Sequence, residues 1–234
     1  MEKDTYWSRL RAENGSPESF NVKFWAVGNE SWGAGGRMTP EYYSDLYRQY
    51  AYFMHITDPS IRLIASGSHS QLPDWDEVVL RRIRKNSFVD FLGIHAYLGN
   101  MPDVNYSDEQ YVSIVLQVES LKSYIDRSVG LCRAYSTSDQ QIRVALDEWG
   151  LWFKEAFDSS GLEQQSTMLN GIFTALCFHM FHEFTEDLYM TNGSETINSL
   201  HALILTDKDK MCLTPTYYTY KLLKEHKDGT LLES

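Results

Sequence analysis

The sequence predicts an α/β fold of parallel strands joined by crossover helices. Three features predict it: short apolar runs without strict alternation, helix-period segments between them, and polar side chains where the runs end. The runs are 22–28 (VKFWAVG), 61–67 (IRLIASG), 89–97 (VDFLGIHAY), 142–150 (IRVALDEWG) and 199–206 (SLHALILT). Near-continuous hydrophobicity suits strands covered on both faces, as in a parallel sheet.

The helical segments carry start signals. Thr39 is placed to N-cap a helix with Pro40 at its first position, and Tyr43, Leu46, Tyr47, Tyr50 and Met54 follow at helical spacing. Ser107 and Gln110 form a capping-box pair ahead of Val115, Val118, Leu121 and Ile125. Residues 163–183 read as a very apolar helix, and 214–226 repeat the Thr-Pro opening. This order predicts right-handed β-α crossovers. It admits two architectures, an open doubly wound sheet or part of a (β/α)8 barrel, whose full set needs roughly 250 residues.

Composition narrows the function. At 234 residues and without low-complexity linkers, the chain reads as one domain with a proper core. A formal net charge of −11 argues against nucleic acid as partner, since phosphate binding needs a basic face. No apolar run approaches the ~20 residues of a membrane span, and residues 1–15 lack the apolar core of a secretory signal. Cys132, Cys177 and Cys212 form neither a disulfide set nor a CxxC metal motif, so a reduced, cytoplasmic compartment is expected.

Functional groups of α/β folds gather at strand C-termini. Here those ends hold Asn29 and Glu30, Ser66 and Ser68, His95 and Tyr97, Asp147 and Glu148, and Thr206. A lone glutamate at a strand end is usually a cap partner or a solvated loop residue. Two in matching places, each beside a tryptophan (Trp32 and Trp149), suggest the paired carboxyl groups of glycoside hydrolysis. Tyr97 could donate a hydrogen bond that keeps a nucleophilic carboxylate ionised, and Trp152 could face a sugar ring. Strand alternation turns Asp147 away from Glu148, which suggests a structural role. The GAGG at 33–36 lacks a phosphate-loop pattern and reads as an open loop. His179 and His182 lack HExxH spacing and read as packed or partly exposed residues, and His201 reads as a satisfied histidine within the last strand.

Three longer stretches, 22–51 (VKFWAVGNESWGAGGRMTPEYYSDLYRQYA), 144–153 (VALDEWGLWF) and 200–226 (LHALILTDKDKMCLTPTYYTYKLLKEH), resemble glycoside hydrolase family 51, the α-L-arabinofuranosidases, in order and over nearly the whole chain. The resemblance implies a retaining mechanism on a (β/α)8 TIM barrel that needs no metal or organic cofactor. It implies Glu30 as general acid/base, Glu148 as nucleophile, and Asn29 as a sugar hydroxyl partner. The GIHAY at 93–97 implies that Tyr97 touches the nucleophile and that His95 shapes the site. Trp152 falls where the family lines the sugar pocket, and Glu195 stands where a glutamine is expected. On this resemblance residues 1–234 form a single incomplete catalytic domain, a partial barrel of strands 4–8, without the first three βα units and an accessory β-sandwich. The expected substrates are terminal arabinofuranosyl groups of arabinan or arabinoxylan. The rivals are a related barrel glycosidase acting on xylosides or β-glucans, and an inactive carbohydrate-binding or protein-interaction fragment. Unpaired edges at 22–30 and 199–206 would invite self-association.

Overall fold

The computed structural model describes residues 4–69, 72–85, 88–101, 105–158, 161–227 and 229. Helix α1 (Tyr6–Glu13) precedes strand β1 (Phe24–Val27). There follow α2 (Pro40–Thr57), β2 (Arg62–His69), α3 (Pro73–Ile83), β3 (Phe91–Met101), α4 (Asp108–Tyr135) and β4 (Arg143–Phe153). After the short α5 (Glu155–Asp158) come α6 (Met168–Phe181) and β5 (Leu188–Gly193). A hairpin of β6 (Ile204–Asp207) and β7 (Lys210–Leu213) leads to α7 (Pro215–Leu223).

Strands β1 to β5 form one parallel sheet in sequence order. The helices pack on one side, where Tyr47, Leu80, Ile125, Leu146, Trp149 and Phe173 are fully buried. On the other side lies a small cluster of Ile64, Phe91 and Ala145, with Met190 against it. Phe24 of β1 and Tyr189 of β5, from opposite ends of the strand order, bring their ring centroids within 5.6 Å, and both meet Phe91. End strands touch in this way only if the sheet curls, so the expected partial barrel is present as a half-barrel with β1 and β5 as its edges.

The capping signals hold. Thr39 accepts the Tyr42 amide at the start of α2, and the Ser107–Gln110 capping box opens α4. Helices α1 and α3 lie outside the sequence reading: α1 buries no residue, whereas α3 buries Trp75, Val79, Leu80 and Ile83 along one face.

The last strand is misplaced in the sequence reading. The fifth parallel strand is Leu188–Gly193, paired with β4 through Val144↔Leu188 and Ala145↔Met190. Of the run 199–206, residues 204–206 enter the antiparallel hairpin, whereas Leu200, His201 and Ala202 form a buried loop. Their apolar character serves packing across β4: a Cβ on Gly150 would lie 2.6 Å from the His201 Cβ. An apolar run records burial, and a buried loop leaves the same trace as a strand. His201 is nonetheless satisfied, with Nε2 2.7 Å from the Thr174 hydroxyl, and burial lowers its pKa to about 4.

Candidate active site

Strand β1 ends at Val27, and Glu30, three residues on, has a left-handed φ of 44°. For a non-glycine residue that conformation costs about 1–3 kcal/mol, so the surrounding loop must impose it. It does so by folding back on itself. The amides of Gly33 and Gly35 both donate to the Glu30 carbonyl, at 2.7 and 3.0 Å. A Cβ on Gly35 would lie 1.7 Å from the Asn29 carbonyl oxygen, which accounts for a glycine there. The glycine-rich stretch is therefore a tight clamp on Glu30 rather than an open loop. Trp32 fastens it to β2 by donating Nε1–H to the Gly67 carbonyl at 2.9 Å, with its ring 4.5 Å from that of His69.

Strand β3 presents His95 and Tyr97 on the concave side. His95 is buried, with Nδ1 3.0 Å from Glu30 Oε1 and 3.5 Å from Glu148 Oε2. Tyr97 donates its hydroxyl to Glu148 Oε2 at 2.8 Å. Burial, reinforced by the Glu148 charge, raises the Tyr97 pKa well above its ordinary value, so the phenol stays a donor throughout the working pH range.

Strand β4 delivers Glu148 through an irregularity. Opposite Ile94 and His95 stand Leu146 and Glu148, so Asp147 is an extra residue in the ladder. The same bulge appears against β5, between Leu146 and Trp149. Both acidic side chains consequently face the same imidazole, Asp147 Oδ1 lying 3.5 Å from His95 Nε2. This corrects the alternation argument, which assumed a regular strand and turned Asp147 away from Glu148. Burial lifts Asp147 to about 6, against the opposing influence of His95.

One oxygen each of Glu30 and Glu148, with a ring nitrogen of His95, lie within 4.8 Å of one another. Such a trio is also a geometry a cation accepts, but the hydrogen bonds from Tyr97 and between His95 and Glu30 account for the spacing by themselves. Beyond Tyr97 an aromatic wall continues: Trp152 meets it edge-on at 5.0 Å and stacks on Phe157 at 5.1 Å.

Five of the residues singled out from the sequence thus converge: Glu30, His95, Tyr97, Glu148 and Trp152. Asn29 is exposed at the same strand end, beside Glu30, and its amide bonds to no described residue. Glu195 is exposed just past β5 and pairs with no described residue. Trp149 lies on the opposite face, packed edge-on against Phe181 at 5.0 Å, and anchors β4 to α6. Ser66 receives the Ser31 amide, whereas Ser68 bonds buried Asp76 and Thr206 is tied to Asn198 within the hairpin region. Asp147 is named in the sequence reading but placed facing away from Glu148, because no sequence signal marks a bulge, and His69 is absent from it. His69 lies one residue beyond the last strand-end serine considered, and it pairs with His95 across the sheet.

A family model described as "Alpha-L-arabinofuranosidase 1 domain" matches residues 1–113, and one described as "Alpha-L-arabinofuranosidase C-terminal domain" matches 147–234. The chain is 34% identical to an intracellular exo-alpha-L-arabinofuranosidase of Bacteroides ovatus, over 98% of this chain and 46% of that protein. It is 28% identical to a probable alpha-L-arabinofuranosidase C of Aspergillus niger, over 97% of this chain and 47% of that one. Among solved structures, the family 51 arabinofuranosidase of Xanthomonas axonopodis pv. citri superposes with a TM-score of 0.85 at 29% identity, over 95% of this chain and 46% of that chain. The Thermotoga maritima α-L-arabinofuranosidase, solved as an arabinose complex, gives 0.81 at 30% identity, over 96% and 44%. The chain spans about half the length of the curated relatives it matches. It belongs to the α-L-arabinofuranosidases of glycoside hydrolase family 51.

Proposed function

We propose that this site performs retaining hydrolysis of terminal α-L-arabinofuranosides, with Glu30 as acid/base and Glu148 as nucleophile. The observation that carries the reading is the approach of the two carboxylates to within 4.8 Å. Retaining glycosidases hold their carboxyl groups roughly 5–5.5 Å apart, and inverting ones leave room for a water at about 6.5–9.5 Å. Glu148, oriented by Tyr97, attacks the anomeric carbon as Glu30 gives its proton to the departing oxygen. Glu30 then takes a proton from water, which attacks the same carbon and releases Glu148. Asn29 stands beside Glu30 for a sugar hydroxyl, and Trp152 offers an apolar wall. A mechanism-based arabinofuranosyl inhibitor is expected to leave a covalent adduct on Glu148, seen by peptide mass spectrometry; labelling elsewhere, or none with turnover intact, would sink the assignment.

We also propose that the working catalytic unit is an eight-stranded barrel to which this chain contributes five strands. Phe24, Phe91 and Tyr189 come from alternate strands and meet at one level, as three members of the four-residue layers that fill such barrels. The open edges of β1 and β5 would then drive association of the chain alone. Sedimentation is expected to show dimers or larger species; a cooperatively melting monomer with full turnover would count against an incomplete barrel. The name of the Bacteroides relative and the three free cysteines support an intracellular, reduced setting. Among the described residues no helix is long and apolar enough to cross a membrane.

A further inference from the structure

Double displacement needs two carboxyl groups, yet a third acid is built into the site. The bulge in β4 turns Asp147 toward the concave side. Gly93 on β3 leaves room for it, since a Cβ there would lie 2.6 Å from Asp147 Oδ2. The Oδ1 atom is buried without a hydrogen bond to any described residue, and His95 Nε2 stands 3.5 Å away. The other ring nitrogen of His95 faces Glu30 at 3.0 Å and Glu148 at 3.5 Å. Around Asp147 are therefore His95 from β3, Glu148 from its own strand, and Glu30 beyond the imidazole. Its field also reaches the phenols of Tyr43 on α2 and Tyr124 on α4.

A neutral imidazole has one N–H to place. On Nδ1 it would donate to Glu30 and favour the carboxylate, leaving a bare Nε2 against a buried, unpartnered oxygen. On Nε2 it answers Asp147, and the bare Nδ1 is left as an acceptor for the proton of a Glu30 carboxylic acid. Only the second arrangement satisfies the buried carboxylate while keeping the proton donor loaded.

We propose that Asp147 is a positioning residue that holds the N–H of neutral His95 on Nε2, so that Nδ1 accepts a hydrogen bond from protonated Glu30. The inference rests on Glu30 being the acid. No proton is consumed: Glu30 yields its proton to the leaving oxygen, regains one from water, and His95 keeps its own throughout.

The test reads the tautomer directly. Long-range 1H–15N correlation on the labelled chain at about pH 7.5, with His95 assigned through a His95→Gln variant, is expected to show the neutral Nε2–H form. Asp147→Asn should shift His95 toward Nδ1–H, because a carboxamide can donate to Nε2. An imidazolium or Nδ1–H form in the parent, or an unchanged tautomer in Asp147→Asn, overturns the proposal. In turnover of a chromogenic arabinofuranoside, Asp147→Asn should lower kcat on the order of tenfold to hundredfold with KM little changed, and move the alkaline limb to lower pH. A loss of rate with that limb in place would mark a merely structural role and also overturn it. The spectrum needs no turnover, so failure of the proposed activity and failure of this tautomer assignment are separately visible.

Discussion

Tyr97 holds Glu148 by a 2.8 Å hydrogen bond, while His95, two residues earlier on the same strand, holds Glu30 at 3.0 Å. One stretch of β3 thus positions both carboxyl groups, which come from β4 and from the loop after β1. A mutation on β3 should therefore separate the roles of the two acids.

Tyr97→Phe removes the donor to Glu148 and leaves the ring against Trp152. Glu148 loses an oriented partner, and kcat is expected to fall on the order of tenfold to hundredfold with little change in KM. Pre-steady-state kinetics with an activated substrate checks this. An unchanged rate of formation of the covalent intermediate would show that the hydrogen bond does not assist attack.

Removing each carboxylate should give a different azide product. In Glu30→Ala, azide takes the place of water in the second displacement and yields an arabinosyl azide of retained configuration. In Glu148→Ala, azide attacks in a single displacement and inverts it. Proton NMR of the two products decides; exchanged stereochemistry would reverse the assignment, and identical stereochemistry from both variants would dissolve it.

The Glu30 clamp should be intolerant of bulk at Gly35. A methyl there meets the Asn29 carbonyl at 1.7 Å, and backbone cannot give way as a flexible side chain does. Gly35→Ala is expected to lower turnover at least tenfold while the helix–sheet core keeps its stability within about 1 kcal/mol. Circular dichroism melting set beside kcat checks both, and full activity in this variant would mean that the loop does not set the position of Glu30.

Two buried groups shape stability in acid, with opposite signs. Burial raises Asp76 from 3.8 to about 6, so the folded state binds a proton that the unfolded state lacks between those values. Its contribution is present below pH 3.8 and is lost as pH rises through about 6. His201, lowered from 6.5 to about 4, contributes stability above pH 6.5 that is lost as pH falls toward 4. Asp76→Asn preserves the shape of the bonds to Ser68 and removes the first effect alone. Its melting temperature should drop more steeply than the parent's between pH 6.5 and 4. Parallel curves would show that Asp76 does not titrate in that window.

Much of this was legible in the chain because local chemistry dictates it. Thr39 and Ser107 are caps wherever a helix follows, and the apolar runs ending in Glu30 and Glu148 are strands that finish at a polar mouth. The error at 199–206 arose because hydrophobicity reports burial and not hydrogen-bond partners. The true fifth strand carries Tyr189 and Asn192, with Gly193 at its end, and is too mixed to stand out. Trp149, adjacent to Glu148 in sequence, points into the helix core.

By itself the sequence determined the α/β order, the two glutamates, and the His–Tyr strand end between them, because propensities, caps and side-chain chemistry travel with the residues. Only the tertiary structure decided that the sheet curls until Phe24 meets Tyr189, and that a bulge turns Asp147 and Glu148 onto one imidazole. Curvature and register belong to the pairing of strands distant in the chain, and no single segment encodes them.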